Sequence, residues 1–217
     1  MPVMTTAIIG VGNLGGTVAR HLVGGGESVV LAAKDESRAQ ALANELGPLA
    51  RTDSVEDAIA GADVVVLAVW LDVMKDLIPQ QSERLDRKVV VDPSNPIGFD
   101  EQGRMIRTLP EEQSAGSIVA GLLPTGAQYV KAFGTLGADQ LATGANHQPR
   151  IVLFYATDDD TAEATAQRLI TAAGFEPLKV GGVSDAGRIE GPDGELQGRI
   201  LDLDEALATI ATEGVKA

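Results

Sequence analysis

The sequence has no cysteine, and this absence excludes disulfide bonds, thiolate catalysis and cysteine-ligated metal sites. Aromatic residues make up only 3% of the 217 residues, whereas 44% are hydrophobic, so the core must consist mainly of Ala, Val, Leu and Ile. Such a core is typical of helices packed on a parallel sheet. No apolar run approaches the ~20 residues of a membrane-spanning helix, and Ile8-Ile9 leads into glycines rather than into a secretory signal. We therefore expect a cytoplasmic protein.

Basic residues are also scarce, because 17 Lys and Arg stand against 31 Asp and Glu, which gives a formal net charge of −14. Nucleic acids and anionic membrane surfaces attract proteins through basic patches. The charge therefore argues against both partners and leaves a small molecule as the expected ligand.

Apolar runs alternate with helical patterns, which is typical of a parallel sheet covered by helices. The predicted strands lie at 4–9, 28–33, 49–51, 63–69, 88–92 and 129–133, and the predicted helices at 14–25, 37–47, 54–60, 71–79 and 114–122. Gly, Asn, Gln and Pro accumulate at 137–149 and indicate a boundary, after which strands at 151–156 and 175–180 and helices at 160–173 and 199–213 follow. The sequence thus predicts a Rossmann-type doubly wound parallel α/β domain at 1–137 and a small α/β C-terminal subdomain at 138–217.

A glycine motif follows the first predicted strand and opens a predicted helix: Gly10-Val11-Gly12-Asn13-Leu14-Gly15. In such turns the first glycine permits a tight turn, the second lets a pyrophosphate approach the backbone, and the third lets helix and strand pack closely. The helix N-terminus offers free N–H groups and partial positive charge to the phosphates. Because the next strand also falls in register, we predict a dinucleotide site; a glycine-rich turn without a ligand is the alternative.

Two basic residues follow the second predicted strand, at the place where an NAD-binding domain usually carries Asp or Glu. Lys34 comes first, and Arg38 lies one helical turn later, so both can face the same point. A 2′-phosphate favours cationic donors. This pair predicts NADP rather than NAD. The alternatives are that both are solvated helix charges paired with nearby acids, or that Asp35 or Glu36 turns inward.

Several short motifs occur in the order and spacing of one protein family. The matching segments are Ile8–Gly16, Val64–Val69, Val90–Pro96, Val130–Thr135, Asp158-Asp159, Gly174-Phe175 and Arg188–Glu190. With them, the chain resembles the F420-dependent NADP oxidoreductase family over nearly its full length.

The resemblance implies that the N-terminal domain binds NADP(H) and that the C-terminal region helps to form a cleft in which the deazaflavin F420 stacks on the nicotinamide. Hydride would pass directly between nicotinamide C4 and deazaflavin C5. The implied contacts are to the phosphates at 11–14, to the 2′-phosphate after the second strand, and to the ribose and nicotinamide near three further loops. The candidate cofactor-binding residues are Gly10, Val11, Gly12, Asn13, Leu14, Gly15, Ala33, Lys34, Arg38, Ala68, Val69, Trp70, Asn95, Pro96, Gly134 and Thr135.

Three segments depart from the family pattern. Gly134 stands where the family has asparagine, Trp70-Leu71 stands where it has Pro-Trp, and Thr157 stands where it has a glycine before the paired aspartates. The acceptor is therefore left open between F420 and a flavin-like cofactor.

Hydride transfer depends mainly on the distance and alignment of two carbon atoms. We therefore expect no catalytic acid–base residue, and the nearest candidates for a catalytic role are Asn95, Gly134 and Thr135. Asn95 would hold the ribose or carboxamide, and the missing side chain at Gly134 would leave room for a flat ring. The alternatives are an Asx-turn at Asn95 and a simple strand bend at Gly134.

Two further segments allow more than one interpretation. The acidic run Asp158-Asp159-Asp160 is interpreted as a helix N-terminal cap, so no metal site is expected. An apolar stripe near the C-terminus predicts a homodimer, or equally packing on its own domain. The stripe consists of Ile200, Leu201, Leu203, Leu207 and Ile210.

Two other function classes remain open. One is a β-hydroxyacid or pyrroline-carboxylate reductase on the same kind of domain, which the short, strand-containing tail disfavours. The other is a non-catalytic NADP-binding redox sensor or interaction module.

Overall fold

A computed structural model of the chain describes residues 4–213. Its strands are β1 (Thr6–Ile9), β2 (Val29–Ala32), β3 (Ala50–Thr52), β4 (Val64–Leu67), β5 (Val89–Asp92), β6 (Ile97–Phe99), β7 (Met105–Arg107), β8 (Gln128–Lys131), β9 (Val152–Ala156) and β10 (Glu176–Gly181). Its α-helices are α1 (Asn13–Gly24), α2 (Glu36–Leu46), α3 (Val55–Gly61), α4 (Leu71–Gln80), α5 (Ser82–Leu85), α6 (Ala115–Leu122), α7 (Ala138–Gly144), α8 (Asp160–Ala172) and α9 (Leu203–Glu213). Short 3-10 helices lie at Gly47–Leu49 and Val183–Ile189.

Eight strands form one sheet in the order β10-β9-β8-β5-β4-β1-β2-β3. Six neighbouring strands of this sheet are parallel, namely β3, β2, β1, β4, β5 and β8, and β9 meets β8 in the antiparallel sense. This order places a topological switch point between β1 and β4, because the chain winds outward in both directions from there. The predicted α/β fold with a mostly parallel sheet is confirmed.

Both faces of the sheet are buried, as a parallel sheet requires. Alternate side chains of each central strand face opposite sides, so Ile8 and Val66 belong to one apolar cluster and Ala7 and Val65 to the other. Helices α1, α2 and α8 cover the first face, and α3, α4 and α6 cover the second. The carboxyl ends of the strands are thereby left as the accessible edge.

The C-terminal strands extend the same sheet, because β9 and β10 are parallel to each other and lie beyond β8. A third apolar cluster packs under them and includes Phe154, Ile189 and Ala206. Strands from both sides of residue 137 therefore belong to one sheet. The division of the chain into two domains at this residue stays a prediction.

Three predicted elements are corrected by the structure. The segment predicted as a boundary, 137–149, was given no helix but contains α7, which packs on α1 and has a buried Leu141. The last helix begins at Leu203 rather than at 199. The loop after β5 carries a two-stranded hairpin, β6 and β7, whose three-residue strands are too short to show a periodic pattern.

None of the helices within residues 4–213 has the length and hydrophobicity that a membrane crossing requires.

Candidate functional site

The glycine turn between β1 and α1 uses each of its three glycines differently. Gly10 has a φ of 97°, which side-chain-bearing residues rarely adopt, and a Cβ there would collide with the backbone of Ala68. A Cβ on Gly15 would collide with the carbonyl oxygen of Gly10. A Cβ on Gly12 would meet nothing within 4 Å. The first and third glycines are therefore needed for packing, whereas the second leaves open space beside the backbone.

The N-terminus of α1 lies at this open space. Gly12 is its N-cap, no side chain caps the helix, and no acidic residue lies in the first turn. The first N–H groups of a helix have no partner within it, and they carry partial positive charge. This end of α1 can therefore receive an anionic group.

A cavity of about 370 Å³ opens beside the turn. It is formed by the segments that follow β1, β4, β5 and β8, all of which end at the same edge of the sheet. Its lining residues are Gly12, Asn13, Leu14, Ala68, Val69, Trp70, Leu71, Pro93, Ser94, Asn95, Ile97, Gly134, Leu136, Gly137 and Ala138. Not one of these residues, all within the described part of the chain, has a titratable side chain. The cavity is thus able to bind and orient a ligand, but its walls carry no acid or base.

Eight of the sequence-predicted residues line this cavity: Gly12, Asn13, Leu14, Ala68, Val69, Trp70, Asn95 and Gly134. The others lie outside its walls. Gly10, Val11 and Gly15 form the turn behind it, and Pro96 and Thr135 are buried. Ala33, Lys34 and Arg38 follow β2 at the neighbouring strand end.

Lys34 and Arg38 are exposed, and neither forms an ion pair with another residue of 4–213. Asp35 does not turn toward the cavity, because it caps α2 by accepting a hydrogen bond from the Arg38 N–H. The Ser37 hydroxyl also donates to Asp35 at 2.6 Å, and this bond is the main reason why the pKa of Asp35 lies below its ordinary value. The charge of Arg38 also lowers the pKa of Asp35, by less than the hydrogen bonds do, but Arg38 forms no salt bridge within residues 4–213. Both cations therefore remain available where a 2′-phosphate was predicted.

Asn95 is tied to the protein at both ends of its amide. Its Nδ2 donates to the Gly134 carbonyl oxygen at 2.9 Å, and its Oδ1 accepts from the Gly191 N–H at 2.8 Å. The side chain therefore bridges three distant segments, which neither the predicted ligand contact nor the Asx-turn anticipated.

The interpretation of Gly134 as a gap for a flat ring is wrong. A Cβ at this position would lie 2.5 Å from the Pro93 carbonyl oxygen and 3.4 Å from Asn95 Nδ2. The loop after β5 already occupies that direction, so the glycine allows two backbone segments to approach. Its neighbour Phe133 is buried in the core and has a φ of 66°, a strained conformation directly before the cavity-lining Gly134.

Trp70 is the N-cap residue of α4 and is 58% exposed, so it is not a core residue. With Ile97 and Leu71 it lines the cavity, and the same three residues line a smaller cleft that reaches Phe99. Apolar side chains therefore connect the cavity to this cleft, which Asp72 and Thr108 also line.

A buried polar cluster lies under the loop after β5, and sequence reasoning missed it as a unit. Asp92, Lys131 and Glu190 are at most 1% exposed, and Lys131 pairs with both carboxylates. Tyr129 donates to Asp92 at 2.8 Å; burial, followed by the negative charge of Asp92, raises the pKa of Tyr129 well above its ordinary value. One signal was present in the sequence, since Asp92 and Lys131 are charged residues in otherwise apolar strands, and a buried charge needs a partner.

Two charged segments nearer the C-terminus have local partners. Arg188 and Glu190 are two residues apart but do not pair with each other, because Arg188 pairs with Glu195 at 2.5 Å while Glu190 pairs with Lys131. The interpretation of the acidic run as a helix cap is confirmed, because Asp159 caps α8 by accepting from the Ala162 N–H at 2.8 Å.

Comparison with known proteins agrees with this geometry. Residues 5–96 match the family model described as "NADP oxidoreductase coenzyme F420-dependent". A solved structure, the hypothetical protein SMa0349 from Sinorhizobium meliloti, is 31% identical, covers 91% of this chain and 95% of its own, and superimposes with a TM-score of 0.80. The F420-dependent NADP reductase of Methanothermobacter thermautotrophicus is 26% identical over 87% of this chain and 85% of its own length.

A second curated relative is the metalloreductase STEAP3 of Rattus norvegicus, which is 31% identical over 84% of this chain. The chain spans only 35% of that relative's length. Taken with the glycine turn and the position of the cavity at the switch point, these matches place residues 5–96 in the F420-dependent NADP oxidoreductase family.

Proposed function

We propose that the chain binds NADP(H) in the cavity at the carboxyl edge of the sheet and transfers a hydride between NADPH and a flat redox cofactor, either F420 or a flavin-like acceptor. The observation that supports this most is the composition of the cavity. One end of it is the uncapped N-terminus of α1, and its described walls contain no titratable side chain.

The proposal assigns a group of residues to each part of the dinucleotide. The open space at Gly12 and the N–H groups of Asn13 and Leu14 would hold the pyrophosphate. Lys34 and Arg38 would hold the 2′-phosphate. The nicotinamide end would then lie along the walls formed by Asn95 and the backbone at Gly134.

The absence of an acid in the described walls separates acceptor classes. When bound, the nicotinamide supplies the hydride, and the chain binds, orients and shields the reacting pair. Reduction of a carbonyl or an imine also requires a proton at oxygen or nitrogen, usually from a positioned side chain. A flat conjugated cofactor spreads the negative charge of the added hydride over its ring, so the proton that completes its reduction can come from solvent. This difference favours a redox cofactor over the β-hydroxyacid or pyrroline-carboxylate substrates.

The preference for NADP is tested by changing both cations, Lys34→Ala with Arg38→Ala. Hydrogen bonds to charged groups contribute about 1.5–3 kcal/mol each, so we expect the dissociation constant of NADPH to rise at least tenfold (about 1.4 kcal/mol). That of NADH should change by less than about twofold, because it has no 2′-phosphate. Isothermal titration calorimetry with both nucleotides measures this directly.

The matched control removes two cations elsewhere, Arg87→Ala with Lys179→Ala, and lowers the net charge equally. This control should leave both affinities unchanged. Equal weakening of NADPH and NADH by the Lys34 and Arg38 changes would contradict the assignment of the 2′-phosphate site.

The acceptor is tested by following NADPH oxidation with F420, FMN, FAD and quinones in turn. One known relative is named an F420-dependent NADP reductase and another a metalloreductase, which supports a redox partner without choosing it. We expect turnover with at least one planar ring cofactor. Saturable NADPH binding without turnover on any acceptor would instead favour the redox sensor.

The homodimer and the cytoplasmic location stay predictions. The apolar stripe near α9 divides in the structure: Leu201 and Ile210 pack on the third apolar cluster, whereas Ile200, Leu203 and Leu207 are exposed. Light scattering of the purified chain at micromolar concentration tests the dimer, and a monomer would contradict it.

A further inference from the structure

Lys131 lies at the centre of a buried ion cluster at the carboxyl ends of β5 and β8. Its Nζ is 3.0 Å from Asp92 Oδ2 and 3.2 Å from Glu190 Oε1, and it also donates to the Ser94 carbonyl oxygen. An ammonium group has three protons to donate. Three oxygens accept hydrogen bonds from the Lys131 Nζ, the third being the Ser94 hydroxyl at 3.5 Å, and Glu190 adds an ion pair, although the side chain is only 1% exposed.

Glu190 connects this cluster to a third element. Its Oε2 accepts from the Ala115 N–H at 2.8 Å and its Oε1 from the Gly116 N–H at 2.7 Å, both in the first turn of α6. Glu190 thus supplies partners to the helix N-terminus, whose partial positive charge helps to balance the second carboxylate. Two carboxylates, one ammonium and one helix terminus form a satisfied network.

The same network fixes the loop that lines the cavity. Asp92 Oδ1 accepts from the Ser94 N–H at 2.7 Å, while Lys131 holds the Ser94 carbonyl oxygen. One residue later, the Asn95 amide joins the loop to Gly134 and Gly191. The segment Pro93–Asn95 therefore faces the cavity on one side and contacts the ion cluster on the other.

Stability alone does not account for such an arrangement. Replacing a buried ion cluster by apolar side chains of similar volume is often neutral or stabilising, because the charges no longer have to be desolvated. The charges instead fix the position of the loop. Lys131 holds the Ser94 carbonyl oxygen, and Glu190 precedes Gly191, whose N–H holds the Asn95 side chain.

We propose that Lys131 and Glu190 are positioning residues that shape the Pro93–Asn95 wall for the nicotinamide end of the dinucleotide. This inference rests on the proposed function, because it presupposes that NADP(H) occupies the cavity. The phosphate end is built from other residues, namely the α1 N-terminus and the two cations after β2. Substitutions in the cluster should therefore weaken binding of the nicotinamide end and leave binding of the phosphate end unchanged.

The test uses the purified full chain and two ligands that share one half. NADPH contains the nicotinamide, whereas adenosine 2′,5′-bisphosphate has only the adenosine with its 2′- and 5′-phosphates. The variants are Lys131→Arg, which keeps the charge but changes the donor geometry, and Glu190→Gln, which keeps the shape but removes the charge. Calorimetry gives both dissociation constants, and circular dichroism melts identify the folded variants.

We expect the dissociation constant of NADPH to rise about tenfold in each folded variant. That of the bisphosphate should stay within about twofold of the unchanged chain, because the phosphate end is intact. The matched controls are Lys179→Arg and Glu163→Gln, which alter an ion pair between β10 and α8. Both ligands should bind these controls normally. If Lys131→Arg does not fold, the affinities of the two ligands are compared in Glu190→Gln alone.

Three results would overturn the proposal. Unchanged NADPH affinity in a folded variant would show that the cluster does not shape the nicotinamide wall. Equal weakening of both ligands would indicate a general structural role. If the unchanged chain bound neither ligand, the proposed function itself would fail, and this inference would fail with it; the first two results leave the proposed function intact.

Discussion

The two walls of the cavity are built in opposite ways. The wall proposed for the phosphates is one continuous segment, residues 10–15, which presents bare backbone and lacks side chains at its glycines. The facing wall, Pro93–Asn95, is held by residues far apart in the chain: Asp92 and Lys131 are separated by 39 positions, and Ala115 and Glu190 by 75. The first wall is formed by residues that are adjacent in the sequence, whereas the second depends on contacts between residues that meet only when the chain folds. Substitutions should therefore affect the two walls differently.

The largest effect is expected at the assembled wall. Lys131→Met would leave two buried carboxylates without their shared cation, and breaking a buried pair in this way costs about 3–5 kcal/mol. The free energy of unfolding should fall by that amount, measured by urea denaturation at neutral pH.

The matched substitution is Lys179→Met, which breaks a partly exposed pair with Glu163. Exposed ion pairs contribute about 0–1 kcal/mol, so this variant should remain close to the unchanged chain. An equal loss of stability in both methionine variants would show that the buried cluster contributes no more than a partly exposed ion pair. It would contradict the proposed difference between the two walls.

A smaller effect is expected from two glycine substitutions in the local wall. Gly15→Ala forces a Cβ against the Gly10 carbonyl oxygen, and overpacking of this kind costs about 1–3 kcal/mol. Gly12→Ala meets no protein atom within 4 Å, so it should change stability little while weakening NADPH binding. Thermal unfolding and calorimetry on the same samples separate the two outcomes. A Gly12→Ala variant that binds NADPH normally would contradict the placement of the pyrophosphate.

The smallest effect concerns pH and again probes the assembled wall. Burial, with the nearby charge of Asp92, raises the pKa of Tyr129 in the folded state above its value in the unfolded chain. The resulting stability is fully present below about pH 10 and is lost as pH rises further, by at most about 1.4 kcal/mol per pH unit. Tyr129→Phe should therefore flatten the decline in stability above about pH 10. Identical alkaline profiles for the two proteins would show that Tyr129 does not contribute.

The same contrast explains what the sequence could predict. Some features depend only on residues close together in the sequence. The glycine turn at Gly10–Gly15, the sheet and most helices could therefore be predicted from glycine spacing and hydrophobic periodicity. The pairing of Lys131 with Glu190 depends on how β8 and the 3-10 helix at 183–189 meet, which no local pattern encodes. The hairpin of β6 and β7 was missed because strands of three residues are too short to show alternation.

Gly134 illustrates a different kind of limit. The sequence correctly drew attention to this glycine, yet its physical reason is the approach of the Pro93 carbonyl oxygen rather than space for a ring. A missing side chain can serve a ligand or a neighbouring backbone, and only the three-dimensional structure distinguishes these. At Gly12 the space is open, and at Gly134 it is filled.

Calorimetric titration of the purified chain with NADPH tests the central claim most directly. The account predicts saturable binding at one site per chain, which Gly12→Ala weakens and which Lys34→Ala with Arg38→Ala weakens for NADPH but not for NADH. No detectable heat of binding with NADPH at millimolar concentration would contradict it.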